Sequence, residues 1–169
     1  MGKLRQAGVR AEPVLRQKVR GAEGEDTVPT DMAALLGELG EAARVSGHDA
    51  RATFSGDPIV RVRPQSFKRC IGNLVGNAAR HGSRVVVAGS HADGHLTITV
   101  DDDGPGVPFE EQEAVFKPFY RLDNARNLDE SGTGLGLPIA RDIARSHGGD
   151  ITLSESPLGG LRVTVTVPA

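Results

Sequence analysis

Two segments of this chain, 95-HLTITVD-101 and 161-LRVTVTV-167, alternate apolar and polar residues almost without a break. Successive side chains of an extended chain point to opposite faces, so such segments read as strands with one buried face and one open face. That pattern calls for a sheet covered on one side only. The segments around them mix helical and strand-like patterns without a regular strand–helix–strand rhythm. The expected class is therefore α/β in content (α+β): a two-layer sandwich, with helices on one face of a mixed, mainly antiparallel sheet.

The chain from Thr27 onward divides into recognisable elements. Thr30 is the expected N-cap of a helix carrying Met32, Leu35, Leu36, Leu39 and Ala43 at helical spacing. Short strands are expected over 51–56 and 59–63, around a turn at Asp57-Pro58. Pro64 suits the first turn of a second helix, which runs through 67-FKRCIGNLVGNAARHG-82 and stops at Gly82. Strands over 84–89 and 95–101 are joined through Asp93-Gly94, and a last hairpin joins 151–155 to 161–167 through Gly159-Gly160. A third helix starts near Leu135 and is closed by Gly148-Gly149. The stretch from Gly104 to Gly134 has no periodicity and exceeds an ordinary connection, which marks a functional loop or lid.

Composition excludes several classes. A net charge of −2 argues against a nucleic-acid binder that works by global positive charge. The single Cys70 leaves no disulfide scaffold and no thiolate zinc site. No apolar run approaches the ~18 residues of a membrane-spanning helix, and no signal-peptide pattern opens the chain. A soluble, cytoplasmic domain is expected. Residues 1–26 stand apart: Lys3, Arg5, Arg10, Arg16, Lys18 and Arg20 face Glu12 alone, and 21-GAEGED-26 follows as a linker. They are read as a linker, helix remnant or tail ahead of one domain over 27–169.

Three places carry chemistry. On the second helix, Phe67, Ile71, Leu74, Val75 and Ala78 form an apolar arc, and Asn73, Asn77 and Arg80 fall on the neighbouring stripe with His81 at its edge. Two Asn one turn apart offer amide oxygens, hard donors suited to Mg²⁺, although a plain polar helix flank has the same pattern. The second place is 101-DDDGPGVP-108, a carboxylate at a strand end followed by glycines that let a flat ligand approach. An acidic turn reads the same way, while a calcium loop fits poorly because its ligand spacing is missing. The third is 131-SGTGLGLPIAR-141, a glycine-rich turn opening a helix, where free N–H groups and the helix dipole favour an anion. It is neither a Walker A loop nor a dinucleotide fingerprint.

The ordered series 73-NLVGNAARHG-82, 102-DDGPG-106, 116-FKPFYR-121 and 132-GTGLGL-137 resembles the ATP-binding domain of bacterial sensor histidine kinases, nearest within them to the EnvZ group. The resemblance covers roughly 27–169. It implies the Bergerat ATP-binding fold shared with gyrase, Hsp90 and MutL, a long ATP lid, and ATP (or ADP) with Mg²⁺ as ligands. It makes Asn77 the Mg²⁺ ligand, Asn73 its polar helper and Arg80 a phosphate contact, with His81 over the adenine. Asp102 would accept from the adenine amino group, in a pocket shaped by Gly104, Gly106 and the adjoining Val107. Phe116 and Phe119 would anchor the lid, and Arg121 would reach the γ-phosphate. Gly132, Thr133, Gly134, Leu135, Gly136 and Leu137 would wrap the phosphates. Asp101 has a weaker claim, and Asp103 is expected to face solvent or bound water.

The implied reaction is phosphoryl transfer to a His on a dimerisation domain, for signalling to a response regulator, with Asn77, Arg80 and Arg121 as the catalytic set. The chain departs from a complete kinase of this kind. The box 47-GHDAR-51 lacks the apolar residue and the Pro of a phospho-accepting site, so His48 is not expected to be phosphorylated. The isolated chain is expected to be a monomer that binds ATP, does not autophosphorylate and makes no membrane contact of its own. The alternatives are a free-standing Ser kinase of the anti-sigma-factor type and a non-catalytic docking module. The complete lid box and the retained Asn77, Asp102 and glycines disfavour both.

Overall fold

The computed structural model describes residues 25–118 and 136–169. In chain order these form β1 (Val28–Asp31), α1 (Met32–Val45), β2 (Asp49–Gly56), β3 (Ile59–Val62), α2 (Pro64–His81), β4 (Arg84–Ala92), β5 (His95–Asp102), α3 (Gly136–Ser146), β6 (Asp150–Glu155) and β7 (Leu161–Pro168). Two 3-10 turns, Phe109–Glu111 and Ala114–Phe116, follow β5. The main sheet has the order β2-β4-β5-β7-β6, and β1 and β3 make a separate two-stranded ribbon. Among the described strands β2 and β4 alone pair in parallel; the other pairs of the main sheet are antiparallel.

The alternating segments behave as their pattern requires. Leu96, Ile98 and Val100 of β5 and Val163, Val165 and Val167 of β7 are buried, as are Val85 and Val87 of β4. Thr97, Thr99 and Thr164, pointing the other way, keep part of their exposure. The buried face meets Leu36 of α1, Phe67, Ile71 and Leu74 of α2, and Ala140, Ile143 and Ala144 of α3 in one core. Each large aliphatic or aromatic side chain withdrawn from water there contributes about 1.5–3 kcal/mol. With helices on one side only, the fold is the expected two-layer sandwich.

One local reading is corrected, and two strand pairings go beyond what the local pattern shows. The N-cap of α1 is Asp31, whose Oδ1 accepts from the Ala34 N–H at 3.0 Å. Thr30 is instead held in β1 opposite Val60, with its hydroxyl turned to the Val28 carbonyl. The segments 49–56 and 59–62 do not pair across Asp57-Pro58: β2 joins β4, and β3 joins β1. β1 itself carries too few residues to show a period. Elsewhere the expected punctuation holds. Pro64 opens α2 and Gly82 ends it. Asp93 and Gly94 turn with φ of 55° and 78°, and Gly148 closes α3 with φ of 88°.

The N-terminus of α2 is sealed from outside its own sequence. Arg63, at the N-cap, makes no side-chain cap. The Glu25 carboxylate takes that role, accepting from the N–H groups of Gln65 (2.7 Å) and Ser66 (3.0 Å) and from the Ser66 hydroxyl. Burial opposes this charge, but those donors and Arg63 hold the Glu25 carboxyl below the usual range. His147, just past α3, accepts the Arg63 N–H on Nε2 and donates Nδ1–H to the Ile143 carbonyl. Its ring stands edge-on to Phe67, with centroids 5.3 Å apart.

Candidate functional site

The apolar arc of α2 decides where its polar flank points. Phe67, Ile71, Leu74, Val75 and Ala78 are buried, which leaves Asn73, Asn77 and His81 half-buried and Arg80 exposed on the adjoining stripe. Asn73 Nδ2 donates to the Gly136 carbonyl at 3.3 Å and so ties α2 to the first turn of α3. The Asn77 backbone carbonyl accepts from His81 Nδ1 at 2.9 Å, which fixes that nitrogen as the protonated one. The Asn77 side-chain amide bonds to no other described residue.

Three consecutive aspartates stand at the end of β5, Asp101 and Asp102 within it and Asp103 just past it, and the structure gives each a different task. Asp101 lies opposite Arg162 of β7 and pairs with it through two bonds of 2.9 Å. Asp102 is 3 % exposed, and its Oδ1 accepts from the N–H groups of Gly104 (2.9 Å) and Leu161 (3.2 Å). Burial pushes the Asp102 carboxyl above its usual range, against the pull of those two N–H groups and of nearby His81. Asp103, expected to face solvent or water, keeps part of its exposure and is also held by backbone. It accepts from the Ser83 and Arg84 N–H groups and the Ser83 hydroxyl. The Arg84 N–H is the leading cause that holds its carboxyl low. The physical reason is register: Val85 pairs with Asp102, so the turn out of α2 runs directly beside Asp103.

The glycines keep this corner tight. A Cβ on Gly104 would press into the His81 carbonyl group, and Gly106 adopts a left-handed φ of 76°. Val107 and Leu137 are partly buried against the core. Phe116 is held from α3: the Arg141 guanidinium lies 4.1 Å from its ring centroid and also binds Glu113 (2.8 Å) and Asp150 (3.0 Å). Burial works against the Asp150 charge, yet the Ile151 N–H together with Arg145 and Arg141 lowers its carboxyl to about 2.

The structure thus gathers Asn73, Asn77, His81, Asp102, Gly104 and Gly106 where α2 ends beside the end of β5, with Gly136 attached through Asn73. Phe119, Arg121, Gly132, Thr133, Gly134 and Leu135 lie outside the described residues. His48, in the α1–β2 connection, bonds through Nε2 to the Ala79 carbonyl. Sequence reasoning missed Leu161, Arg141 and the Asp101–Arg162 pair. The Gly159-Gly160 doublet was the available signal for the first, but it reads as an ordinary hairpin turn. Among the described residues, no group of three or more His, Cys, Asp or Glu side chains could hold a metal. Asn77 nevertheless fits a cation that takes few protein ligands and shares phosphate oxygens and water, as Mg²⁺ does.

Residues 62–169 match the family described as histidine kinase-, DNA gyrase B- and HSP90-like ATPase. The sensor histidine kinase CpxA of Escherichia coli is 43% identical over 106 residues, covering 62% of this chain and 23% of CpxA. The sensor histidine kinase GtrS of Pseudomonas aeruginosa is 37% identical over 144 residues, covering 85% of this chain and 29% of GtrS. The chain therefore spans less than a third of the length of either relative. Among solved structures, the ATP-binding domain of PrrB from Mycobacterium tuberculosis superposes with a TM-score of 0.69 at 29% identity, over 86% of this chain and 98% of that one.

Proposed function

The chain belongs to the histidine kinase-, DNA gyrase B- and HSP90-like ATPase family, and from that membership we propose that it is the catalytic ATP-binding domain of a sensor histidine kinase. The observation that carries the reading is Asp102: a buried carboxylate with both of its backbone donors on Oδ1, facing the helix end that bears Asn77, Arg80 and His81. Such a carboxylate is costly to bury unless a ligand donor meets it. An adenine amino group supplies that donor, with His81 beside the base and the glycines leaving room for it.

Asn77 would hold Mg²⁺ through its amide oxygen, together with phosphate oxygens and water. When bound, the cation supplies charge neutralisation on the phosphates. Asn73 keeps α2 and the first turn of α3 in register beside them. Arg80, and Arg121 from the lid box, add positive charge where the γ-phosphoryl group moves. The group passes in line from ATP to an imidazole nitrogen of a His on a separate dimerisation domain, and ADP leaves; positioning and charge carry most of such a reaction. A response regulator is the onward acceptor. The functional unit is 27–169 together with Glu25, whose carboxylate caps α2, and the preceding residues are its linker, helix remnant or tail. No described helix is long and apolar enough to cross a membrane, in keeping with a cytoplasmic portion of a larger sensor.

The test is calorimetric titration of the purified chain with ADP and ATP, with and without Mg²⁺. Micromolar to sub-millimolar binding that Asp102→Ala removes is expected. Absence of binding at millimolar nucleotide overturns the proposal.

A further inference from the structure

The hairpin between β6 and β7 reaches back onto the end of β5. The Gly160 N–H donates to the Asp102 carbonyl at 3.1 Å, and the next N–H, of Leu161, donates to Asp102 Oδ1 at 3.2 Å. The backbone of Gly160 does not adopt a left-handed φ, unlike that of Gly159 at 103°. Glycine is required at 160 for space instead. A Cβ there would lie against Asp102 Oδ1, 2.6 Å from the Asp102 carbonyl oxygen and 2.6 Å from the Gly104 nitrogen. Gly106 closes on the same point, its own Cβ position lying 3.5 Å from the Gly160 carbonyl oxygen.

We propose that Gly160 is a positioning residue that gives this site its preference for an amino-bearing purine, by letting the β6–β7 hairpin lock the rotation of the Asp102 carboxylate. The inference rests on the nucleotide-binding reading above. Two backbone donors, from Gly104 and Leu161, occupy Oδ1, and no donor among the described residues addresses Oδ2. A carboxylate held this way turns one acceptor oxygen outward and cannot swing to offer another geometry. An exocyclic amine satisfies that oxygen, whereas a carbonyl at the same ring position sets oxygen against oxygen in a buried place. The next residue secures the register: Arg162 binds Asp101 in bidentate fashion, so the hairpin cannot slide without breaking an ion pair whose carboxylate is buried.

The experiment compares ADP with inosine diphosphate, which carries a carbonyl in place of the amine, on the full chain by calorimetry. The wild-type chain is expected to prefer ADP at least tenfold. Gly160→Ala should weaken ADP at least tenfold and erase most of that preference, while Pro157→Ala, exposed in the same hairpin, changes neither. If Gly160→Ala keeps the preference, or weakens both nucleotides by one common factor, Gly160 has no part in selection and the proposal falls. If the wild-type chain binds neither nucleotide, the nucleotide-binding reading itself falls, a distinguishable result. Should Gly160→Ala not fold, the wild type still decides the matter by nuclear magnetic resonance. The Leu161 and Gly104 amides should shift with one shared midpoint as the Asp102 carboxyl titrates, and a Leu161 amide that stays flat overturns the lock.

Discussion

The two ends of α2 are built from similar polar material and put it to opposite use. At the N-terminal end, Glu25, Arg63 and His147 spend their polar groups on one another and on backbone: the Glu25 carboxylate caps the helix, Arg63 donates to the Glu25 and Ser146 carbonyls, and both ring nitrogens of His147 are engaged. At the C-terminal end, the Asn77 amide bonds to no other described residue, and the buried Asp102 uses one oxygen for two donors. A buried polar group that is satisfied internally stabilises the fold; one held in place with an acceptor to spare is prepared for something else. Charge alone does not separate the two ends. Hydrogen-bond accounting does.

The strongest way to break this contrast is Asp102→Ala. Nucleotide affinity should fall on the order of a hundredfold, the loss of a hydrogen bond to a charged group worth about 1.5–3 kcal/mol, while the chain still unfolds cooperatively in urea. A chain that loses its fold and keeps its ligand affinity would invert the assignment. Next in size, Asn77→Ala should lose the gain in affinity that Mg²⁺ confers and leave metal-free binding nearly intact, as paired titrations with Mg²⁺ and with a chelator would reveal. At the other end, Glu25→Ala should cost about 1 kcal/mol of stability, the usual worth of a helix cap, with nucleotide affinity unchanged. A drop in affinity there would show that the sealed end also serves the ligand.

The smallest effect is a pH dependence with opposite signs at the two ends. Burial, then the Arg63 charge, lowers the His147 pKa below its ordinary 6.5, against the Ile143 carbonyl and Glu25. The unfolded chain then takes up the proton first, so stability should decline as pH falls below about 6.5. His147→Asn should flatten that part of the curve. Asp102 behaves the other way: its folded pKa is raised, so stability gains as pH falls through it. The same protonation removes the acceptor for a ligand amine, so nucleotide binding should weaken at a pH above the ordinary carboxylate value of 3.8. Binding that follows His147 instead would contradict the separation.

Much of the site was legible because its residues sit on regular elements. Asn73, Asn77 and Arg80 follow from the apolar arc of α2, since period fixes face, and Asp102 is singled out by the motif 102-DDGPG-106 through its resemblance to the kinase family. Leu161 was not legible, because nothing in 159-GGLR-162 says that the turn folds back onto a residue about sixty positions earlier. Nor was Glu25, which lies in a stretch that reads as linker and yet caps a helix forty residues away. The β2–β4 pairing was hidden for the same reason: a parallel partner lies beyond an intervening strand and helix, and local pattern carries no such information.

By itself the sequence determined the one-sided sheet, the helix with its polar flank, the order of the motifs and the position of the acidic strand end, because each depends on period, turn chemistry or spacing within a short window. Only the tertiary structure decided that Asp101 is an ion pair, that Asp103 anchors a turn, and that Asp102 spends one oxygen on two backbone donors and turns the other outward. Neighbours in sequence share composition, but on a strand they face opposite sides, and each meets donors delivered by a different, distant segment.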